Sequence, residues 1–327
     1  MTNPWRHASD AGSAADLAAA TANGERRALA QTLTELERAG TRTAAMTAAL
    51  RQHLELGKLQ GVVGITGPPG AGKSTLVNAL IETLRARGQT IGIIAIDPSS
   101  PVSGGAILGD RMRMTAATGD DGVFVRSLSA SGHLGGMTPA AVRMIDAFDV
   151  AGFDVVIVET VGAGQSEVDV AAIADVRLVI AAPGLGDDIQ AMKSGLLEIA
   201  DVLVVTKADR PGAAQTRQQL AGALSLRLPG GDARRADAEV LAVSALTGDG
   251  MAALTDALIA RLPGRAAETR AAARARRGHY LLRRELIRAV EDRVAKAAAA
   301  DRLGVLVDGL IDGTGDADSI LKDLLSD

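Results

Sequence analysis

The spacing of apolar positions changes twice along the chain. Between about residues 13 and 58, Ala, Leu, Glu and Arg dominate. Leu29, Leu33 and Leu36 recur at the spacing of one helix face, and Leu50, Leu54 and Leu56 mark another. Gly40 and Thr41 separate the two patterns, so residues 1–60 read as a helical N-terminal extension with an internal break. From Gly61 the pattern becomes short apolar runs alternating with helical stretches: GVVGITG, TLVNALIETLRARG and TIGIIAID form a βαβ unit. Further strands are predicted at Val123–Val125, Phe153–Val158, Val176–Ala181, Val202–Thr206 and Val240–Val243, with helix-compatible segments between most of them. Near-continuous apolar strands belong to a parallel sheet buried on both faces. Residues 61–262 are therefore expected to form an α/β domain, a mostly parallel sheet covered by helices on both sides.

After Pro263 and Gly264 the pattern changes again, to an Arg-rich helical stretch and an acidic tail with Asp308, Asp312, Asp316, Asp318, Asp323 and Asp327. Two readings of the basic stretch stand open, a polyanion-binding helix and a solvated or partner-facing one. Glu268, Glu285, Glu291 and Asp292 interrupt the basic run and favour the second, so residues 263–327 are read as a helical dimerisation segment.

Charge and composition narrow the chemistry. Thirty-five Lys and Arg against 39 Asp and Glu leave a net charge of -4, which argues against nucleic acid as the main partner. With no cysteine, disulfides, thiolate nucleophiles and Cys-ligated metals are excluded, and any metal must sit on oxygen or histidine. The start MTNPWRHASDAG lacks the pattern of a secretory signal, and no run of about 18 apolar residues offers a membrane span. No membrane association and a cytoplasmic location are the expectations. Aromatic residues make up 2%, which leaves recognition to loops and charges rather than stacking platforms.

The chemistry-bearing segment is Gly67-Pro68-Pro69-Gly70-Ala71-Gly72-Lys73-Ser74-Thr75, which satisfies G-x-x-x-x-G-K-[ST] between a predicted strand and a predicted helix. Glycines let backbone N–H groups wrap a phosphate, Lys73 supplies a point charge to the β and γ oxygens, and the Ser74 hydroxyl is placed to ligate Mg²⁺. Thr206-Lys207-Ala208-Asp209, at the end of a strand, resembles the guanine-reading N-K-x-D motif. The Asp209 carboxylate is suited to accept from guanine N1–H and the 2-amino group, which adenine does not offer, so GTP is favoured over ATP. The Lys207 stem would pack against the base, and Ser244-Ala245-Leu246 looks like the loop that contacts guanine O6 through backbone N–H. Thr206 replaces the usual Asn that ties the base loop to the phosphate loop, which puts rigidity here in question.

Asp97 follows IGIIAI, Glu159 follows DVVIV, and Asp110 lies in LGDRMRM. Asp97 and Glu159 are expected in the Mg²⁺ and water shell and Asp110 as a movable contact, with helix caps or turn carboxylates as the alternative. Gly162, in ETVGAG, is positioned to offer its N–H to the γ-phosphate. His133, in a Gly-rich loop, reads as a turn residue.

GITGPPGAGKSTLVNAL, AIDPSSPVSGGAILGDRMRM, RSLSASGHLGG, VVIVETVGAGQSEVDVA, PGLGDDIQAMKSG and TKAD together closely resemble the MeaB-like, or ArgK-type, GTPases associated with methylmalonyl-CoA mutase, over about residues 60 to 250. The resemblance implies a SIMIBI-class P-loop GTPase that binds GTP, GDP and Mg²⁺ and forms a homodimer through C-terminal helices. It also implies a G-protein chaperone that gates cofactor loading and protects an adenosylcobalamin-dependent acyl-CoA mutase. By the same resemblance Asp97 to Arg113 covers a first switch, Glu159 to Glu167 a second, and Gly184 to Lys193 a third, with Asp187, Asp188, Gln190 and Lys193 facing the mutase. Methylmalonyl-, ethylmalonyl-, isobutyryl- and 2-hydroxyisobutyryl-CoA mutases all remain open. So do a transport-linked protein kinase, a nickel-insertion GTPase and a nucleotide-binding module without turnover.

Overall fold

The computed structural model describes residues 13–38, 40–98, 119–130, 138–160, 166–184, 196–225, 238–299, 303–314, 316, 318–320 and 322. It divides into two compact units, Met1–Arg276 and Arg277–Asp327.

The first unit is built on a seven-stranded, all-parallel sheet. Its strands are β1 (Gly61–Thr66), β2 (Ile91–Pro98), β3 (Val123–Ala130), β4 (Val155–Thr160), β5 (Val176–Ala181), β6 (Val202–Val205) and β7 (Glu239–Ala242). They lie in the order β3-β2-β4-β1-β5-β6-β7, so β1 sits centrally between β4 and β5. The sequence pattern placed all of these strands. The bounds differ most at β3, which runs to Ala130 through polar residues that hydropathy does not flag.

Alternation along the strands distributes the core. Val63, Ile65, Ile91 and Ile93 pack with Leu76, Leu80 and Leu84 of the helix Lys73–Ala86, and with Leu254 and Leu258 of the helix Met251–Arg261. Gly64 and Gly92, of opposite parity, meet the other layer. A Cβ on Gly64 would lie 2.2 Å from Val170 Cγ1, and one on Gly92 2.6 Å from Phe148 Cδ1. Helices Ser166–Ile173 and Pro139–Val150 therefore approach the sheet closely where the strands carry no side chain. Phe148 also meets Phe124 and Phe153 edge-on at centroid distances of 6.0 and 5.3 Å.

The N-terminal extension forms three helices, Ala14–Ala22, Arg26–Glu37 and Thr41–Arg51. Ser13 and Asp16 make a reciprocal capping box at the first of them. Leu29, Leu33 and Leu36 are buried, as their spacing predicts, whereas Leu56 is 66% exposed. The third helix ends at Arg51 and a 3-10 turn follows over Leu54–Leu56, so Leu56 leaves the apolar face that a continuous helix would give it. Arg26 covers β3, donating to the Asp121 and Val123 carbonyls at 2.8 and 3.0 Å with its guanidinium 5.1 Å from the Phe124 ring centre.

Aspartates gather at the entry ends of the strands. Asp149 accepts from Leu59 N–H at 3.0 Å, Asp154 from Thr90 N–H at 2.8 Å and Asp175 from Val62 N–H at 2.8 Å. Each also pairs with arginines of residues 265–276: Asp149 with Arg270 and Arg274, Asp154 with Arg265, Asp175 with Arg276. Shared carboxylates thus fasten this Arg-rich segment to the sheet, Arg270 and Arg274 being part-buried and Arg265 and Arg276 exposed while still paired. The division between units falls inside the helix Ala267–Ala299, later than the change of sequence pattern at Pro263.

In the second unit the remainder of that helix is followed by Leu303–Ile311. Leu282, Leu286, Leu310 and Ile311 are exposed.

Candidate functional site

The exit ends of β1, β2, β4, β6 and β7 carry the candidate site residues. β1 delivers the chain to Gly67, and the helix Lys73–Ala86 starts five residues after Pro68 in the sequence, with Gly72 as its left-handed N-cap at φ 89°. Gly67 has φ 149°, and a Cβ there would stand 2.4 Å from the Ile180 carbonyl oxygen of β5. Backbone cannot yield that space, so the tight exit from β1 demands glycine. Lys73 is buried and donates from Nζ to the carbonyls of Gly67 and Pro68 at 2.7 and 2.9 Å, which arches the loop over its own ammonium.

The neighbouring strand supplies the acid. Glu159 pairs in register with Ile65 of β1 and Ala95 of β2, and its Oε1 accepts from Ser74 Oγ at 2.8 Å. A hydroxyl and a carboxylate meeting at the start of the P-loop helix are hard oxygen donors. They fit Mg²⁺, which takes one or two protein oxygens alongside phosphate and water. Asp97 belongs to β2, one residue beyond the Ile96–Thr160 pair, so its backbone shares the exit end with Glu159. Its side chain, and all of Asp110, Gly162, Asp187, Asp188, Gln190, Lys193 and His133, lie outside the described residues. No cluster of three or more metal-ligating His, Asp or Glu occurs among the described residues.

The base loop leaves β6. Lys207 takes φ 54°, the only left-handed non-glycine among the described residues, and its Nζ donates to the Gly70 carbonyl at 2.7 Å. Asp209 Oδ1 accepts from Ser244 Oγ at 2.6 Å. That hydrogen bond, with a backbone one, holds the Asp209 carboxyl below the usual carboxylate range. The Ser244 backbone N–H is itself donated to the Asp249 carbonyl at 2.9 Å, and Ala245 and Leu246 follow in the turn, Leu246 being 86% exposed. Ser244 thus acts here through its hydroxyl, a role that the loop match by itself does not signal.

Thr206 is the residue where motif reasoning anticipated a lost tie. It is buried, and its Oγ1 lies 2.5 Å from the Ala71 carbonyl of the phosphate loop. A hydroxyl stands where the amide of Asn was expected, and the two loops are joined.

A glycine-rich loop between a central parallel strand and a helix, with an acid of the neighbouring strand paired to its serine, defines a protein of the P-loop nucleotide-binding class. The comparisons agree: residues 27–302 match the family described as methylmalonyl Co-A mutase-associated GTPase MeaB, and the chain belongs to that family. It is 48% identical over 203 residues to a putative GTPase of Pyrococcus horikoshii, spanning 62% of this chain and 63% of that relative, just under two thirds of its length. A probable GTPase of Mycobacterium bovis is 41% identical over 245 residues, 73% of this chain and 72% of the relative. A crystal structure titled as an LAO/AO transport system kinase superposes with a TM-score of 0.68 at 27% identity, covering 96% of both chains. No helix among the described residues is long and apolar enough to cross a membrane.

Proposed function

We propose that this chain is a Mg²⁺-dependent GTPase, converting GTP to GDP and phosphate, that works as a G-protein chaperone of an adenosylcobalamin-dependent acyl-CoA mutase in the cytoplasm. The observation that carries the nucleotide half is Asp209, ionised and fixed by Ser244 on the loop that Thr206 and Lys207 fasten to the P-loop. The family description supports the mutase half.

In this reading the P-loop amides wrap the phosphates, and Lys73 supplies positive charge to the β and γ oxygens. Ser74, Glu159 and Asp97 hold the metal and its water shell, and Mg²⁺ would offset charge on the transferring phosphoryl group. Glu159 is also placed to orient the attacking water, with Asp110 a movable contact and Gly162 N–H sensing the γ-phosphate. Asp187, Asp188, Gln190 and Lys193 face the mutase in the same scheme. Turnover is slow until the partner completes loop closure. The exposed Leu282 and Leu286, one helical turn apart, support an interface between two copies in the C-terminal segment.

Methylmalonyl-CoA mutase or a close relative such as 2-hydroxyisobutyryl-CoA mutase is the partner. One structurally similar protein, described as an LAO/AO transport system kinase, favours a second reading, a transport-linked kinase, which would need ATP. Asp209 opposes it.

The test holds the tagged chain in a non-hydrolysable GTP analogue or in GDP, in lysate of its host, and identifies what co-elutes. An adenosylcobalamin-dependent mutase retained in one nucleotide state and released in the other is the expected result. Retention of a transport component or a metalloenzyme precursor, with the mutase present and not retained, overturns it.

A further inference from the structure

We infer that the helix Arg26–Glu37 braces the edge strand β3, and that its two end residues, Arg26 and Glu37, thereby position the exit of β2 that carries Asp97. The inference rests on the reading above that Asp97 belongs to the metal shell.

The sheet register makes β3 the support of that exit. Pairing of β2 with β4 is described as far as Ile96–Thr160, whereas pairing with β3 continues through Asp97–Ser129 and Pro98–Ala130. The Asp97 backbone is therefore held in line by β3, which is the outermost strand of the sheet. A strand paired along one side opens more readily than a central one, so what lies against its other side decides how well it keeps its place.

The N-terminal extension supplies that second side. Arg26, the first residue of its helix, donates to the Asp121 and Val123 carbonyls at 2.8 and 3.0 Å. The Gly122 carbonyl between them accepts from Ile91 N–H of β2 at 2.8 Å, so by alternation the two that Arg26 takes belong to the outer edge. The same guanidinium lies 5.1 Å from the centre of the Phe124 ring, which meets Phe148 edge-on. Phe148 in turn packs against Gly92 of β2, the register partner of Phe124.

Glu37, the last residue of the helix, pairs with Arg126 in the middle of β3. Arg126 Nε is buried and has no hydrogen-bond partner among the described residues, so the Glu37 carboxylate offsets a cation partly withdrawn from water. The ends of the helix stand about 16 Å apart, and the strand is thus held at two separate points. Leu29, Leu33 and Leu36 are buried, and the buried hydroxyls of Thr21 and Thr32 hydrogen-bond at 2.9 Å between the first two helices. Shifting the brace would open that packing, which fixes it as a support.

The experiment compares the full chain with Arg26→Met, Arg26→Lys and Glu37→Gln, with Asp97→Asn and Ser13→Ala as controls. It reads amide hydrogen exchange along β2 and β3 without nucleotide, Mn²⁺ affinity of the GDP complex by electron paramagnetic resonance, and the Mg²⁺ dependence of GTP hydrolysis. Arg26→Met keeps the stem and removes donors and charge. In it we expect the β3 and Asp97 amides to exchange about tenfold faster. The Mn²⁺ Kd and the half-saturating Mg²⁺ concentration should rise about fivefold. Because the glycine-rich loop leaves β1, GDP affinity without metal and kcat at saturating Mg²⁺ stay within about twofold. Arg26→Lys, which keeps the cation and loses the fork, falls between Arg26→Met and the parent. Glu37→Gln raises the Mn²⁺ Kd about twofold. Ser13→Ala loosens the first helix away from β3 and leaves Mn²⁺ affinity as in the parent.

Parent-like exchange of β3 in Arg26→Met overturns the brace, and faster exchange with parent-like Mn²⁺ affinity overturns the positioning. A loss of Mn²⁺ affinity in Ser13→Ala equal to that in Arg26→Met overturns it too, as the mark of an extension that merely stabilises the fold. Should Arg26→Met fail to fold, Glu37→Gln decides on the same readouts. Asp97→Asn with the parent's Mn²⁺ affinity refutes the metal reading of Asp97, whereas a loss there beside an unaltered Arg26→Met refutes the inference alone.

Discussion

The Ser74 hydroxyl donates to Glu159 Oε1 at 2.8 Å, joining the first turn of the P-loop helix to the exit of β4. Ser74 opens the helix that follows the glycine-rich loop and Glu159 is buried in the sheet, so the pair ties that helix start to a strand next to β1.

Glu159→Gln keeps the acceptor and removes the charge. Mg²⁺-stimulated GTP hydrolysis should fall by about tenfold or more, while GDP binding without Mg²⁺ changes by less than about threefold. A Mg²⁺ titration of the hydrolysis rate checks this, and an unaltered titration curve would remove Glu159 from the metal shell.

Lys73 is the buried cation under the loop. Lys73→Ala should abolish GTP turnover by removing the charge that faces the β and γ oxygens. Retention of the parent rate in a phosphate-release assay would sink the site assignment.

The Asp209 carboxyl is held low chiefly by the Ser244 hydroxyl, so its ionised form is favoured. For a depressed acid the stabilisation is present above the unfolded pKa and is lost as pH falls through the folded one. Guanine selectivity should therefore be flat through neutral pH and fade only below the ordinary value of 3.8. In Ser244→Ala the fade moves upward toward that value, and at neutral pH the preference for GTP over ATP drops about tenfold because the carboxylate is no longer oriented. Competition binding across pH, with folding followed in parallel, measures both; an unchanged preference at neutral pH would contradict the role given to Ser244.

At the opposite end of the sheet Asp201 accepts from Arg177 N, Nε and a terminal guanidinium nitrogen at 2.7, 2.8 and 2.8 Å, and both side chains are largely buried. Asp201→Ala should destabilise the domain by about 3 kcal/mol, since it leaves the guanidinium buried without this carboxylate. Urea unfolding reads the loss, and GTP KM of the folded protein should not move. A stability change under about 1 kcal/mol would show that water compensates the arginine.

Much of this was legible in the residue order because its physics is local. Apolar runs such as VVIV and VLVV announce strands buried on both faces. The P-loop is read from spacing because phosphate binding needs glycines, a lysine and a hydroxyl within a few consecutive residues. Asp209 was legible for the same reason, and the long motifs that mark the family are likewise contiguous.

Other features are set by partners remote in sequence. Leu56 follows the apolar spacing yet is exposed, since the helix stops at Arg51. The arginines of residues 265–276 look like an unpartnered basic run until Asp149, Asp154 and Asp175, 101 to 125 positions before the arginines they pair with, are brought to them by the strand entries. Thr206 departs from its motif on paper, and only the approach of β6 to the phosphate loop places its hydroxyl on the Ala71 carbonyl, 135 residues away in the chain. Sequence by itself determined which segments form strands and where the glycine-rich loop and its lysine and serine fall, because backbone preference and short-range spacing are encoded locally. Tertiary structure decided which side chains hold those segments in register, because a hydrogen bond or ion pair across the fold depends on distances that only the packed sheet creates.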